Sequence, residues 1–242
     1  MNIIQKIGKM CLGLVYPQTC HFCRKVCEEP ICKECREKVV YIREPRCKKC
    51  GKPVRYKEQE FCLDCSKKNF HYEEGRSLWI HKGAVPWSIY QFKYHNKRIY
   101  GEFYARELYR LYGKQIREWN IDVIVPVPLH PKRKRMRGYN QAEILAKELG
   151  KLAGLPVECR WIVRKKDTNP QKKLDNRERR KNMMDAFTVN RDASLRMGQY
   201  KHVLIIDDIY TTGSTIDTIA KQLLEKCNKK SWFFTISIGQ DF

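Results

Sequence analysis

Eight of the twelve cysteines fall into four Cys-x-x-Cys pairs: Cys20/Cys23, Cys32/Cys35, Cys47/Cys50 and Cys62/Cys65. Two thiolates at this spacing turn toward one ion in a tight knuckle, and two knuckles complete a tetrahedral zinc site. Eight residues separate the first two pairs and eleven separate the last two. Joining first with second and third with fourth keeps each loop short, although a crossed arrangement satisfies the same chemistry. Either way, two closed four-thiolate sites leave no open position for a substrate, so the expected zinc is structural. The stretch is also poor in large aliphatics, so metal has to replace part of a hydrophobic core. Cys11, Cys27, Cys159 and Cys227 have no partner at this spacing and read as ordinary thiols. His21, squeezed beside Cys20, reads as a bystander rather than a ligand.

The second constellation runs from Val203 to Thr215. Four branched apolar residues, Val203 to Ile206, are followed by Asp207 and Asp208, then by hydroxyls around one glycine: Thr211, Thr212, Gly213, Ser214 and Thr215. Orphan amides and the positive dipole end of a following helix favour a phosphate in such a loop. The carboxylates would repel that phosphate, so they suit a different task, holding a sugar diol or a magnesium ion. A third group is basic. Lys132, Arg133, Lys134, Arg135 and Arg137 put five cations in six residues. Residues 160–182 hold ten Lys/Arg against three Asp/Glu, among them Arg164, Lys165, Lys166, Lys172 and Lys173.

The elements that must position these groups are legible in outline. Val203–Ile206 reads as a strand buried on both faces. Ile216, Ile219, Ala220, Leu223, Leu224 and Cys227 recur at helical spacing after it. Residues 121–128 predict another parallel strand, with the basic run at its C-terminal end, where open α/β sheets bind ligands. A helix is expected from about Tyr139 to Ala153, with Ile144, Leu145, Leu149 and Leu152 inward. Further strands fall near 77–80, 186–189 and 231–238. Pro86 suits the first turn of a helix, and Tyr100, Tyr104, Leu108, Leu111 and Trp119 mark one face of a longer one. Residues 1–16 read as a short amphipathic helix, 66–76 as a linker, and 160–182 as a mobile flap. Strands alternating with helices predict an α/β fold with a mainly parallel sheet. The expected units are 1–72, a helix and double zinc ribbon, and 73–242, the α/β domain.

The 203–215 segment resembles the phosphoribosyl-diphosphate (PRPP) motif of type I phosphoribosyltransferases. That resemblance implies that Thr211 to Thr215 cradle the ribose 5'-phosphate while Asp207 and Asp208, with magnesium, engage the ribose hydroxyls. It also implies a pyrophosphate loop at Val127, Pro128 and Leu129, with Arg133 and Arg137 as neighbours. Thr211 stands where purine-salvage members carry an acidic residue, which argues against a purine base as acceptor. Over nearly its whole length the chain resembles the ComF family. The residues that carry this are the paired cysteines, Phe92-Lys93-Tyr94, Val125 to Leu129, Arg137 to Gln141, Asp207 to Gly213, and Thr168 to Gln171 with Leu174, Arg177, Arg180 and Asn182. The resemblance implies natural competence, the uptake of single-stranded DNA alongside a helicase-like partner. It supplies no reaction, so catalytic residues stay unassigned and a transferase with an unidentified acceptor stands as the alternative.

Composition sets the outer bounds. At 242 residues with 42% apolar content, the chain holds one good core plus a small module. Its net charge of +22, from 49 basic against 27 acidic residues, points to a polyanionic partner. No run of 18 apolar residues occurs, and Lys6 and Lys9 interrupt the opening apolar stretch, so no membrane span or signal peptide is expected. Reduced cysteines available for metal imply the cytoplasm.

Overall fold

The strand predicted around Val203 becomes the spine of the sheet. The structure, a computed structural model, describes residues 17–165, 186–190 and 198–239. In chain order the elements are α1 (Lys33–Lys38), α2 (Leu63–Lys67), β1 (Gly75–Ile80), α3 (Val85–Tyr94), α4 (Tyr100–Glu118), β2 (Val123–Pro126), α5 (Pro131–Arg137) and α6 (Gln141–Ala153). There follow β3 (Ile162–Arg164), β4 (Phe187–Val189), β5 (His202–Tyr210), α7 (Ser214–Cys227) and β6 (Lys230–Ile238). Four strands form a parallel sheet in the order β1-β6-β5-β2. The mixed α/β expectation therefore holds, with a mainly parallel sheet behind an N-terminal cysteine module.

Alternation along β5 divides the interior in two. Leu204 and Ile206 face a core built with Ile89 and Phe92 of α3, Tyr104 and Leu108 of α4, and Leu145 and Leu149 of α6. Val203 and Ile205 face the other core, with Ile216, Ile219 and Leu223 of α7 and Trp161 and Phe187 of the β3–β4 hairpin. All four β5 residues are fully buried. At about 1.5–3 kcal/mol for each buried aliphatic side chain, this short run is a main source of cohesion.

The cysteine module is built into these cores. Cys20, Phe22, Ile31 and Cys35 belong to the first core, whereas Cys47, Cys50, Val54 and Cys62 belong to the second. One ribbon thus covers each face of the sheet. The expected linker is packed as well. Tyr72 is fully buried, the Glu73 amide donates to the Ser231 carbonyl at 2.7 Å, and the His71 amide donates to Asp217 Oδ1 at 2.6 Å. Gly75 opens β1 directly against Phe233, whose ring carbons lie 2.0 Å from where a Cβ would stand.

Several local expectations shift. The basic run is a helix of its own, α5, and α6 starts at Gln141 rather than at Tyr139. Leu152 and Leu224 are 39% exposed, so the inward stripes of α6 and α7 are narrower than their spacing suggested. The expected strand near residue 186 pairs antiparallel with β3 in a small separate hairpin. The amphipathic segment 1–16, with Cys11, and most of the flap, including Lys166, Lys172 and Lys173, lie outside the described residues.

Candidate functional site

The cysteines settle into two tetrads, Cys20/Cys23/Cys32/Cys35 and Cys47/Cys50/Cys62/Cys65, with the sulfurs of each within 4.8 Å of one another. This is the sequential pairing. In each tetrad the later pair sits at a helix start, with Cys32 and Cys62 preceding α1 and α2. The turn after Cys20 closes with Arg24 N–H donating to the Cys20 carbonyl at 2.9 Å. Gly51 closes the corresponding turn after Cys47 at 3.0 Å, with φ +76°. Zinc–thiolate bonds of ~2.3 Å in a tetrahedron separate the sulfurs by roughly 3.8 Å. The Cys23–Cys32 and Cys50–Cys62 sulfurs are 3.7 and 3.6 Å apart. The donor set fits structural zinc in both. His21 stays outside the tetrads and stacks on Tyr100 at 3.8 Å. Burial, with the Lys97 charge nearby, pulls its imidazole down to about 4, so it is neutral near pH 7.

The carboxylates lie within β5, which continues to Tyr210, rather than beyond its end. The alternation that separates the cores also separates the two acids. Asp208, on the Leu204 side, meets α3: Lys93 Nζ is 2.8 Å from its Oδ1, with both side chains mostly buried at 17% and 15% exposure. Asp207 falls on the hairpin side, and its Oδ1 accepts the Asp208 amide at 2.8 Å. Burial, reinforced by the Asp208 charge, pushes the Asp207 carboxyl up to about 7, against the opposing charges of Lys93 and Arg164. His81 stands nearby, Nδ1 2.9 Å from Ser237 Oγ, and burial together with the Lys93 charge holds its imidazole below the ordinary value.

The hydroxyl loop follows directly. Gly213 adopts φ +77° as the N-cap of α7, and no side chain caps the helix start. A Cβ at Gly213 would lie 2.4 Å from the Tyr210 hydroxyl, which is itself 2.7 Å from the Tyr72 hydroxyl. The need for glycine is therefore set in part by a packed tyrosine. Thr211 and Thr212 are exposed, Ser214 and Thr215 half-buried, and Thr212 Oγ1 lies 2.8 Å from Ser214 Oγ. His71 Nδ1, 3.0 Å from Asp217 Oδ1, ties the first turn of α7 to the chain leaving the second ribbon.

Across from this loop, the Val127 amide donates to the Ile206 carbonyl at 2.9 Å, extending the β2–β5 ladder by one bond. Pro128 and Leu129 then turn outward, half-exposed. In α5, Lys132, Lys134 and Arg135 are exposed while Arg133 and Arg137 are half-buried. Arg137 is engaged by α3 and α6. It donates to the Tyr94 hydroxyl at 2.8 Å and to Gln141 Oε1 at 3.0 Å. Asn140 Nδ2 donates to the Val127 carbonyl at 2.9 Å and Gln141 Nε2 to the Lys93 carbonyl at 3.2 Å. Tyr139 is 5% exposed and its hydroxyl donates to the Phe92 carbonyl, so it offers no ring for a base to stack on. Residues 137–141 therefore clamp the end of α3, which carries Lys93. Lys93 is the site residue that the sequence reading passed over; the Phe92-Lys93-Tyr94 run was its signal.

Arg164 ends β3 with its guanidinium 5.2 Å from the Phe187 ring, and Lys165 is exposed beside it. A separate cleft of about 450 Å³ opens between α4 and α6. Its lining cations, Arg98, Lys134 and Lys147, are matched by Glu102, Glu143 and Glu148, so it offers little net attraction to a phosphate.

Comparison with known proteins agrees with this anatomy. Residues 11–66 match the double zinc ribbon domain family. Competence protein F of Haemophilus influenzae is 34% identical over 138 residues, 56% of this chain and 59% of that protein. DNA utilization protein YhgH of Escherichia coli K12 is 36% identical over 107 residues, 43% of each chain. Competence protein ComFC of Bacillus subtilis is 27% identical over 153 residues, covering 63% of this chain and 59% of the relative. The matched region thus spans about two fifths to three fifths of the length of these relatives. With two cysteine tetrads in a double zinc ribbon and a parallel α/β sheet, the chain is similar to competence protein F and ComFC over the matched part of its length.

Proposed function

We propose that this chain binds single-stranded DNA and PRPP on a phosphoribosyltransferase-like sheet, in the service of DNA uptake. The observation that carries the PRPP part is the uncapped start of α7 beside two unlike carboxyl groups. Orphan amides and hydroxyls at Thr211 to Thr215 supply donors for a 5'-phosphate. Asp208 is already charge-balanced by Lys93, while Asp207 titrates near neutrality and gains its charge most readily when a cation or diol arrives. Magnesium brought in with the ligand and met by Asp207 would neutralise the ligand's phosphates, while Asp208, on the other side of β5, stays with Lys93. Val127 to Leu129, with Arg133, form the pyrophosphate side. In this reading Arg137 serves by positioning α3.

The DNA part rests on the +22 charge, on Lys132, Lys134, Arg135, Arg164 and Lys165 around this end of the sheet, and on relatives named for competence and DNA utilization. A helicase-like partner and a cytoplasmic setting belong to the same proposal; among the described residues no helix is long and apolar enough to cross a membrane. We place the unit boundary at residue 72, with ribbons before it and the sheet after it.

Isothermal titration with PRPP and magnesium tests the reading. The expected result is binding that Asp207→Ala with Asp208→Ala abolishes; unchanged affinity in the double variant would leave the carboxylates a structural role only. An active transferase is the second reading, favoured by a carboxyl near neutral pKa, suited to general-base work. Magnesium-dependent release of pyrophosphate from PRPP distinguishes it from simple binding.

A further inference from the structure

Helix α3 carries a row of aromatic rings on the side away from the sheet. Its inner face sends Val85, Ile89 and Phe92 into the core. Trp87, Tyr90 and Tyr94, at i, i+3 and i+7, remain 44%, 46% and 50% exposed. Trp87 and Tyr90 lie 5.7 Å apart between ring centroids and within 17° of parallel, and Tyr90 and Tyr94 are 5.0 Å apart. Tyr94 is tilted by 44° to Tyr90, so the three rings follow one another in a contiguous but turning row.

Each end of the row is closed by an arginine. Arg24 lies 5.4 Å from the Trp87 ring and also donates to Gln91 Oε1. It holds a left-handed φ of 63° in the turn that closes the Cys20–Cys23 knuckle, so the first metal site fixes its position. Arg137 lies 4.6 Å from the Tyr94 ring at the other end, where α5 ends with its exposed cations Lys132, Lys134 and Arg135 behind it. Exposed Lys97 and Arg98 follow Tyr94 on the turn into α4.

The chemistry of the missing partner follows from this layout. Flat apolar faces spaced along a line, bracketed and flanked by cations, match a chain of stackable rings joined by phosphates. A duplex hides its bases from such a surface, whereas a single strand exposes them. We propose that the α3 aromatic row, with Arg24 and Arg137 at its ends, is a base-stacking platform for single-stranded DNA. The proposal rests on the DNA-binding reading above and assigns the bases to a surface that reading does not use. Phosphates that leave the row toward Arg137 enter the α5 cations, so the two surfaces serve one strand.

Fluorescence anisotropy with the zinc-loaded full chain, a labelled oligothymidylate and a sugar–phosphate oligomer of equal length lacking bases tests this. Trp87→Ala and Tyr90→Ala should each weaken oligothymidylate binding by roughly 5- to 150-fold, the span of one lost base–aromatic stack. The slope of log affinity against log salt should stay unchanged in both, because no charge is removed. Arg24→Gln should instead lower that slope by about 0.7, one phosphate contact. The base-free oligomer should bind wild type weakly and be indifferent to Trp87→Ala. Wild-type binding of oligothymidylate that both aromatic variants retain in full would overturn the platform while leaving the DNA reading intact. A wild-type chain that binds no oligonucleotide would overturn both. Circular dichroism matching wild type confirms that the variants, all at exposed positions, fold.

Discussion

At the scale of single residues, the most informative pair is Asp207 and Asp208, adjacent in sequence yet opposite in environment. Asp208 is neutralised by Lys93, whereas Asp207 has a carboxyl raised from 3.8 to about 7. A group raised on folding contributes stability that is fully present below its unfolded value and is lost as pH climbs through its folded value. Wild type should therefore lose stability between about pH 4 and pH 7 through Asp207, by up to a few kcal/mol. Asp207→Asn should flatten that slope in urea melts recorded across this range. Lys93→Met leaves the Asp208 charge mostly buried and unpaired, with an expected cost on the order of 3 kcal/mol. Adding Asp208→Asn should recover much of it in a double-mutant cycle. The sequence placed both carboxylates in a ligand site but gave no hint that they would differ. That difference depends on alternation along β5 and on Lys93, which reaches the site from a helix far away in the chain.

At the scale of elements, prediction succeeded where one force dominated. Val203–Ile206 could only be a strand buried on both sides, and the paired cysteines could only be knuckles. Helix α5 was invisible because Lys132 to Arg137 lacks an apolar stripe and places like charges at helical spacing, which opposes a helix. Its ends supply what its middle lacks. Pro131 opens it, His130 Nδ1 accepts the Lys132 amide at 3.3 Å, and Gly138 closes it at φ +77°. The aromatic row of α3 escaped notice for a related reason: exposure of an aromatic at helical spacing is decided by what packs on the helix, not by the spacing itself. Gly213 gives a test at this scale. Gly213→Ala meets both a left-handed backbone and the Tyr210 hydroxyl, so it should destabilise by at least about 1 kcal/mol. Coupling with Tyr210→Phe, measured by chemical denaturation, should return part of that loss by removing the clashing oxygen.

At the scale of the whole molecule, the expected division at residue 72 gave no warning that each ribbon would pack on its own face of the sheet. Composition predicts metal in place of a core; the structure uses metal and core together, with Cys47, Cys50 and Cys62 packed in one cluster with Tyr72 and Phe233. Cys47→Ser should therefore lower the melting temperature of the entire chain, followed by circular dichroism, and not only that of the ribbon. Elemental analysis should find two zinc ions in wild type and a reduced content in this variant. Charge is the other global property. Reversing Arg133, Arg135 and Lys165 to Glu should weaken oligonucleotide binding and shrink its salt dependence, by about 0.7 in slope for each phosphate contact removed.

The sheet order also constrains how the chain can be made. β1 has one partner in the sheet, β6, and β6 is the last strand described. During synthesis from the N-terminus, the ribbons and β1 leave the ribosome long before residues 230–238 exist. Until then β1 holds one edge open: residues 40–42 already bond the other, with Ile42 N–H donating to the Leu78 carbonyl at 3.2 Å and Ile80 N–H to the Val40 carbonyl at 3.1 Å. Such an edge invites pairing with other chains. Filled zinc sites on either side would keep those early residues compact while they wait. Expression in zinc-depleted medium should divert newly made chain to aggregates in pulse-labelled cells, whereas chelator added after synthesis should do so far less.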